Sequence, residues 1–282
     1  MVVFPNCKIN LGLTITGKRE DGFHDIETIF YPVPLTDALE IIISNSSHPE
    51  VIFSTSGIAI AGADEDNLCV KAYHLLKKDF PLLPSIKIHL HKAIPIGAGL
   101  GGGSADAAFT LKVLNEKFEL GIANNKLLAY ALQLGSDCPF FINNNTCIAT
   151  GRGEKMQPCT IDLSSYQLIL INPGIHINTG WAFSQLNIAT KNSVNDSSFI
   201  SINKIITTSI ESWKNVLKND FEKPVFSAYP IIKEIKETLY ANGAVFALMS
   251  GSGSSVYGVF DKNLQPSFKF PATYLQYSML LG

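Results

Sequence analysis

PIGAGLGGGSADAA, residues 95–108, places five glycines in seven positions: Gly97, Gly99, Gly101, Gly102 and Gly103, with Ala98 and Leu100 between them. Glycines let backbone approach closely, and N–H groups freed in this way can converge on an anion, helped by the dipole of a following helix. That helix is expected: SADAAFTLKVLNEKF is Ala-rich, has Ser104 at a capping position and sets Leu111, Leu114 and Phe118 on one side. Before the loop, SIKIHLHKAIP alternates Ile86, Ile88 and Leu90 against Lys87, His89 and His91, the period of a strand. The unit reads as strand, phosphate-holding loop, helix.

Two nucleotide patterns fit the loop incompletely. G-x-x-x-x-G-K-[ST] overlays Gly97 to Ser104, but Gly103 stands where the lysine belongs. G-x-G-x-x-G is met by Gly97, Gly99 and Gly102, yet NEKFELGIANN provides no strand ending in an acid roughly 20 residues on. Hydride chemistry with a dinucleotide is therefore a minor alternative. A nucleotide held here must find its positive charge elsewhere in the chain.

Of the 282 residues, 46% are hydrophobic and 16% charged, enough apolar material for one large or two ordinary domains. A net charge of −2 gives no broad basic surface, so nucleic acid is not an expected partner. Five scattered cysteines without a C-x-x-C read as reduced thiols. MVVFPNCKINLGL has no basic segment leading a long apolar run, and no apolar stretch reaches ~18 residues. A soluble, cytoplasmic protein is expected. His89 and His91, two apart, read as a solvated strand face rather than a zinc site.

Towards the N-terminus, CKINLGLTIT alternates Ile9, Leu11, Leu13 and Ile15, as a half-buried strand does, and DALEIIIS and VIFSTS read as strands as well. NLCVKAYHLLKKDF has helical spacing with Asn67 as cap. A second helix is expected from Asn125 to Leu134, stopping at Gly135. Past residue 155 the pattern restarts: a strand in YQLILINPG, a short helix in TGWAFSQL, a polar loop over 188–200, and helices near 201–218 and 229–241. AVFALMSGSGSSVYGVF then reads as strand, turn, strand. The whole is α+β in two halves, 1–155 and 156–282.

Three segments in order carry a resemblance. PIGAGLGGGSADAA resembles the phosphate-binding motif of the GHMP kinases, MSGSGSSVYGVF resembles their C-terminal glycine-rich motif, and PNCKINLGLTITGKREDGFHDIET resembles the opening of one branch. That branch phosphorylates a cytidine-diphosphate-linked methylerythritol, and Arg19 to His24 (R-x-D-G-[YF]-H) is its most discriminating element. The resemblance implies a ribosomal protein S5 domain 2-like N-terminal domain and a ferredoxin-like C-terminal domain. It also implies ATP and Mg²⁺, and a small-molecule substrate bearing a cytidine diphosphate group.

It further implies a role for each matched residue. The loop, Pro95, Ile96, Gly97, Ala98, Gly99, Leu100, Gly101, Gly102, Gly103, Ser104 and Ala105, holds the triphosphate largely through backbone amides, which makes a P-loop lysine dispensable. The charge comes from Lys8, and Asp137 in GSDCPFF accepts the hydroxyl proton; phosphoryl transfer needs both functions. Phe23 and His24 hold the base, with phenylalanine where the branch more often has tyrosine, and Phe183 matches a second aromatic for which Trp181 is the local competitor. Asn10 shares a strand face with Lys8 and is placed to orient the methylerythritol hydroxyls. Ser104 stands either near Mg²⁺ or as the helix cap, Asp106 is not expected to be a ligand, and Gly251 and Gly253 are given no catalytic role. Without the resemblance, Lys8 reads as a strand lysine facing water and Asp137 as a helix cap. The alternatives are another GHMP kinase acting on mevalonate, homoserine or a sugar, and a nucleotide-binding regulatory protein.

Overall fold

The computed structural model describes residues 1–46, 50–186, 202 and 207–281. It divides into two compact units that interleave along the chain: Met1–Cys7, Leu35–Ile96 and Gly101–Asn145 form one, and Lys8–Pro34, Gly97–Leu100 and Thr146–Gly282 the other. The polar loop expected over 188–200 lies outside the described residues, as does most of 201–206.

The first unit is a sheet faced by helices. Strands β1 (Val2–Val3), β4 (Ala38–Ile43), β6 (Ile86–Lys92) and β5 (Val51–Gly57) lie in the order β1-β4-β6-β5, with β5 parallel to β6 and the other pairs antiparallel. The alternation in β6 holds: Ile86, Ile88 and Leu90 are buried, while His89 and His91 share hydrogen bonds with Ser54 and Ser56 of β5 on the outer face. Helix α1 (Leu68–Asp79) begins at Asn67, whose side chain accepts the Cys69 N–H at 2.9 Å. It packs on α2 (Gly102–Lys117), which with α3 (Asn124–Leu134) and α4 (Cys138–Asn143) completes the helical layer.

Helix α2 starts three residues earlier than a cap at Ser104 would place it. Its cap is Gly101, at φ +70°, so Ser104 lies inside the first turn and is not the N-cap. Gly101 takes a left-handed conformation that turns the chain directly into the helix, and no serine is needed to end the loop.

The second unit holds two sheets. One has the order β2-β3-β7-β8, from β2 (Asn6–Lys18), β3 (His24–Thr36), β7 (Cys147–Gly151) and β8 (Lys155–Pro158). The other has the order β10-β11-β9-β12, from β10 (Phe246–Met249), β11 (Val256–Asp261), β9 (Tyr166–Asn172) and β12 (Leu275–Leu280), all antiparallel. The helices are α5 (Thr179–Ser184), α6 (Ile210–Val216), α7 (Glu222–Ala228) and α8 (Pro230–Ala241). Helix α8 buries Ile232, Ile235 and Leu239 on one stripe against β10 and β11. Its Lys236 reaches Glu222 at 2.8 Å, and Glu222 also accepts the Met249 N–H at 3.0 Å, tying α7 to the end of β10.

One expectation needs correction. Strand β2 is not half-buried: Cys7 through Leu13 are all buried, so its polar face is enclosed along with its apolar one. The terminal residues form an edge strand, β12 pairing with β9 from Leu275↔Asn172 to Leu280↔Gln167.

Candidate active site

The enclosed polar face of β2 is built around Lys8 and Asn10, which are 4% and 1% exposed. A buried ammonium must be compensated. Lys8 Nζ donates to Asn10 Oδ1 at 2.5 Å and stands 4.8 Å from the centre of the Phe30 ring. Asn10 is held in turn on every side: its Nδ2 donates to Thr28 Oγ1 at 2.9 Å, its backbone N–H reaches Ser250 Oγ at 3.3 Å, and its carbonyl accepts Tyr257 Oη at 2.8 Å. Thr28 passes its proton on to the Gly12 carbonyl at 2.5 Å. Lys8 therefore does not face water. It is a fixed cation whose orientation is set by a hydrogen-bonded chain across β2, β3 and β11.

The centre of the glycine loop is clamped in the same unit. The Lys8 N–H donates to the Leu100 carbonyl at 3.0 Å, the Ser255 N–H to the Ala98 carbonyl at 3.2 Å, and Ser250 Oγ to the Gly99 carbonyl at 2.8 Å. Gly99 has φ +77°, and a Cβ there would lie 1.9 Å from the Ser250 carbonyl oxygen; at Gly97, φ +63°, it would strike the His176 ring at 2.2 Å. These positions require glycine for packing as well as conformation. The SGSGSS turn, to which the sequence reading gives no catalytic role, is the surface on which the loop rests. Asn219 holds that turn, donating to the Met249 and Gly251 carbonyls at 2.8 and 2.7 Å.

The loop's continuation belongs to the first unit. Ala98, Leu100 and Ala105 have buried side chains, so what they can offer a ligand is backbone, while a Cβ on Gly103 would meet nothing within 4 Å. Ile96 is exposed and Pro95 buried. Ser104 hydrogen-bonds the Cys138 thiol, joining the first turn of α2 to the residue after Asp137. Asp137 is half-buried at the N-cap position of α4 but makes no side-chain capping hydrogen bond, so the cap reading does not hold.

Beneath that turn lies a buried ionic cluster. Lys92 Nζ contacts Asp37 and sits 2.9 Å from Asp106 Oδ2, and Asp37 Oδ1 accepts the Ala93 and Ile94 N–H groups at 2.7 and 2.9 Å. Among the described residues Asp106 Oδ1 has no hydrogen-bond partner. Burial pushes the Asp106 carboxyl up to about 7, against the pull of Lys92 and with the push of Asp37; Cys69 and Thr110 are the other polar neighbours. The folded protein therefore keeps a proton that the unfolded chain has lost. The stability this group contributes is present at low pH and lost as pH rises from the ordinary carboxyl range through about 7. Each tenfold strengthening of proton binding on folding corresponds to about 1.4 kcal/mol, so urea titrations at pH 5 and pH 8 should show a larger loss for the wild type than for Asp106→Asn. Equal losses would contradict the assignment.

The aromatic residues predicted for the base lie in the second unit. The turn between β2 and β3 is welded by Arg19, which bonds Asp21 at 3.1 Å and Asp25 at 3.1 Å, and the Asp21 carboxylate accepts the Phe23 N–H at 3.1 Å. This explains the R-x-D-G-F-H spacing: arginine and aspartate build the turn that presents the ring and the imidazole. Phe23 is 49% exposed. His24 stacks on Phe183 at 4.6 Å with an interplanar angle of 11°, and Phe183 rests edge-on against Phe221 at 4.9 Å. Trp181 instead packs on Tyr229. Burial, then the nearby Lys18, lowers the His24 pKa, keeping a neutral imidazole able both to donate and to accept.

Comparison with known proteins gives concordant matches. Residues 67–145 match the GHMP kinases N terminal domain and residues 196–269 the GHMP kinases C terminal domain. A 4-diphosphocytidyl-2-C-methyl-D-erythritol kinase of Bacteroides fragilis is 53% identical over 260 residues, 92% of this chain and 92% of the relative. The chain belongs to the 4-diphosphocytidyl-2-C-methyl-D-erythritol kinase family of GHMP kinases. A crystal structure of 4-(cytidine 5'-diphospho)-2C-methyl-D-erythritol kinase superposes with TM-score 0.73 at 30% identity, covering 92% of this chain and 89% of that one. Methanococcus jannaschii mevalonate kinase, at TM-score 0.69 and 13% identity over 100% of this chain and 98% of that one, shares the fold.

In this GHMP kinase, Lys8, Asn10, Phe23, His24, Phe183 and Gly97–Leu100 belong to one compact unit, and Ser104 and Asp137 to the other. Sequence reasoning missed Thr28, Ser250, Asn219 and Tyr257, which orient Asn10 and seat the loop. Tyr257 carries the one available signal, a hydroxyl-bearing side chain set among the apolar residues Val256 and Val259.

Proposed function

We propose that the chain uses ATP to phosphorylate the 2-hydroxyl of 4-diphosphocytidyl-2-C-methyl-D-erythritol, a step of the non-mevalonate route to isoprenoid precursors. The near-full-length likeness to relatives bearing that name carries the reading. An ATP-binding half over 1–155 and a second half over 156–282 fit the two family matches, which fall on either side of residue 155. The four-stranded antiparallel sheet with α8 on its face supports a ferredoxin-like second half; the S5 domain 2-like first half rests on resemblance. Among the described residues no helix is long and apolar enough to cross a membrane, and no disulfide joins the five cysteines, in keeping with a cytoplasmic enzyme.

In this reading residues 95–105 hold the triphosphate through backbone N–H groups and the N-terminus of α2. Mg²⁺ bound to the nucleotide would offset phosphate charge. Ser104 is the hydroxyl assigned to its neighbourhood, one residue past the open space at Gly103. Asp137 accepts the proton of the attacking hydroxyl. Lys8 supplies fixed positive charge to the transferring phosphoryl group, at no cost in reorganisation because Asn10 already holds it. Asn10 orients the methylerythritol hydroxyls, and Phe23, His24 and Phe183 receive the cytidine. A mevalonate, homoserine or sugar substrate would leave the His24–Phe183 stack without a base to hold.

The position of the new phosphate tests the reading. Phosphorus NMR of the product should show one added phosphomonoester on the tertiary 2-oxygen for each ADP formed. Phosphate on a primary or secondary hydroxyl would refute it.

A further inference from the structure

Arg152 occupies the tight turn between β7 and β8, flanked by Gly151 at φ +68° and Gly153 at φ +108°. Its backbone N–H donates to Glu154 Oε2 at 2.6 Å, which fixes the turn. The central guanidinium carbon lies 3.6 Å from the centre of the Phe23 ring, in contact with one face of it. Phe23 is half-exposed, and the adjoining His24 leads to the Phe183 stack, so this cation stands at the edge of the aromatic group assigned to cytidine. Arg19, in the turn between β2 and β3, is bonded to Asp21 and Asp25, and the charge of Arg152 also acts on the Asp21 carboxylate.

We propose that Arg152 is a substrate-recognition residue that contacts the diphosphate of a cytidine-diphosphate substrate. The inference rests on the function proposed above and adds to it a residue outside the motifs that suggested that function. A guanidinium offers five N–H donors in a plane and no acceptor, matched to paired phosphate oxygens. Stacking on Phe23 restricts the side chain before the ligand arrives, so less freedom is lost on binding. Phenylalanine at position 23 has no hydroxyl to offer the ligand, and the guanidinium resting on it supplies a polar contact at the same place.

Calorimetric titration of CDP and of cytidine into the full chain, with Mg-ADP saturating the glycine loop, tests this. Charge-assisted contacts predict that Arg152→Ala weakens CDP about tenfold or more and leaves cytidine within about twofold. Arg152→Lys, which keeps the charge but loses the planar fork, should fall between. An unchanged melting temperature and unchanged Mg-ADP affinity would set aside a merely structural role. CDP binding unaltered in Arg152→Ala would overturn the inference while leaving the proposed function standing, and an equal loss for cytidine would overturn the diphosphate contact. A wild type that does not bind CDP would overturn both.

Discussion

Asp137→Asn is expected to lower turnover by about 10²–10⁴-fold, the usual contribution of a positioned general base, with ATP and the cytidyl substrate still binding. The substitution keeps the shape and removes the ability to take a proton. Asp137 makes no capping hydrogen bond to α4, so the helix should not depend on its charge. Its chain neighbour Cys138 is anchored through Ser104, and burial, the largest influence, raises the Cys138 thiol to about 12, so that thiol stays neutral and is no substitute base. Single-turnover kinetics at saturating substrate separates the outcomes. A loss confined to the chemical step supports the assignment, whereas a rise in KM with kcat retained would make Asp137 a binding group.

Gly99→Ala should be the most damaging small substitution in the loop. The added methyl would lie 1.9 Å from the Ser250 carbonyl oxygen and 3.2 Å from the Gly253 nitrogen, both backbone atoms, at a φ of +77° that alanine resists. Backbone strain and overpacking together predict a loss of roughly 2–4 kcal/mol, together with weakened nucleotide binding as the Ser250 and Ser255 contacts break. Gly103→Ala is the control: nothing lies within 4 Å of its methyl position, and it sits inside α2, where alanine is the better helix former. Urea titration should show Gly103→Ala at least as stable as wild type. Equal stabilities for the two variants would mean that the loop is not seated on the SGSGSS turn.

The legible parts of the fold were those with a local period. Strand β6, helix α1 with its Asn67 cap and the β10–β11 hairpin each follow from contiguous residues. Strand β3 was obscured by Pro32 and Pro34 and by burial from Ile29 to Tyr31 on both faces, which erases alternation. Strand β12 does alternate, Leu275, Tyr277 and Met279 inward against Gln276, Ser278 and Leu280, but six residues near the chain end carry a weak signal. The interleaving of the compact units has no signature along the sequence.

The site divided in the same way. Lys8, Phe23, His24 and Asp137 were recoverable because they sit in contiguous motifs. Ser250, 240 residues from Asn10, and Asn219, 30 from Met249, act through contacts that only the folded chain creates. The misjudged environment of β2 had a different cause. Lys8 and Asn10 are polar residues in buried positions, a departure from the usual pattern that is expected where function, and not packing, decides the residue.

ADP release from Mg-ATP should be measured with 4-diphosphocytidyl-2-C-methyl-D-erythritol, 2-C-methyl-D-erythritol 4-phosphate, mevalonate, homoserine and galactose side by side. Turnover with the cytidyl compound alone is the predicted result. Turnover with any of the other four but not with it would keep the GHMP kinase fold and contradict the cytidine site at Phe23, His24 and Phe183.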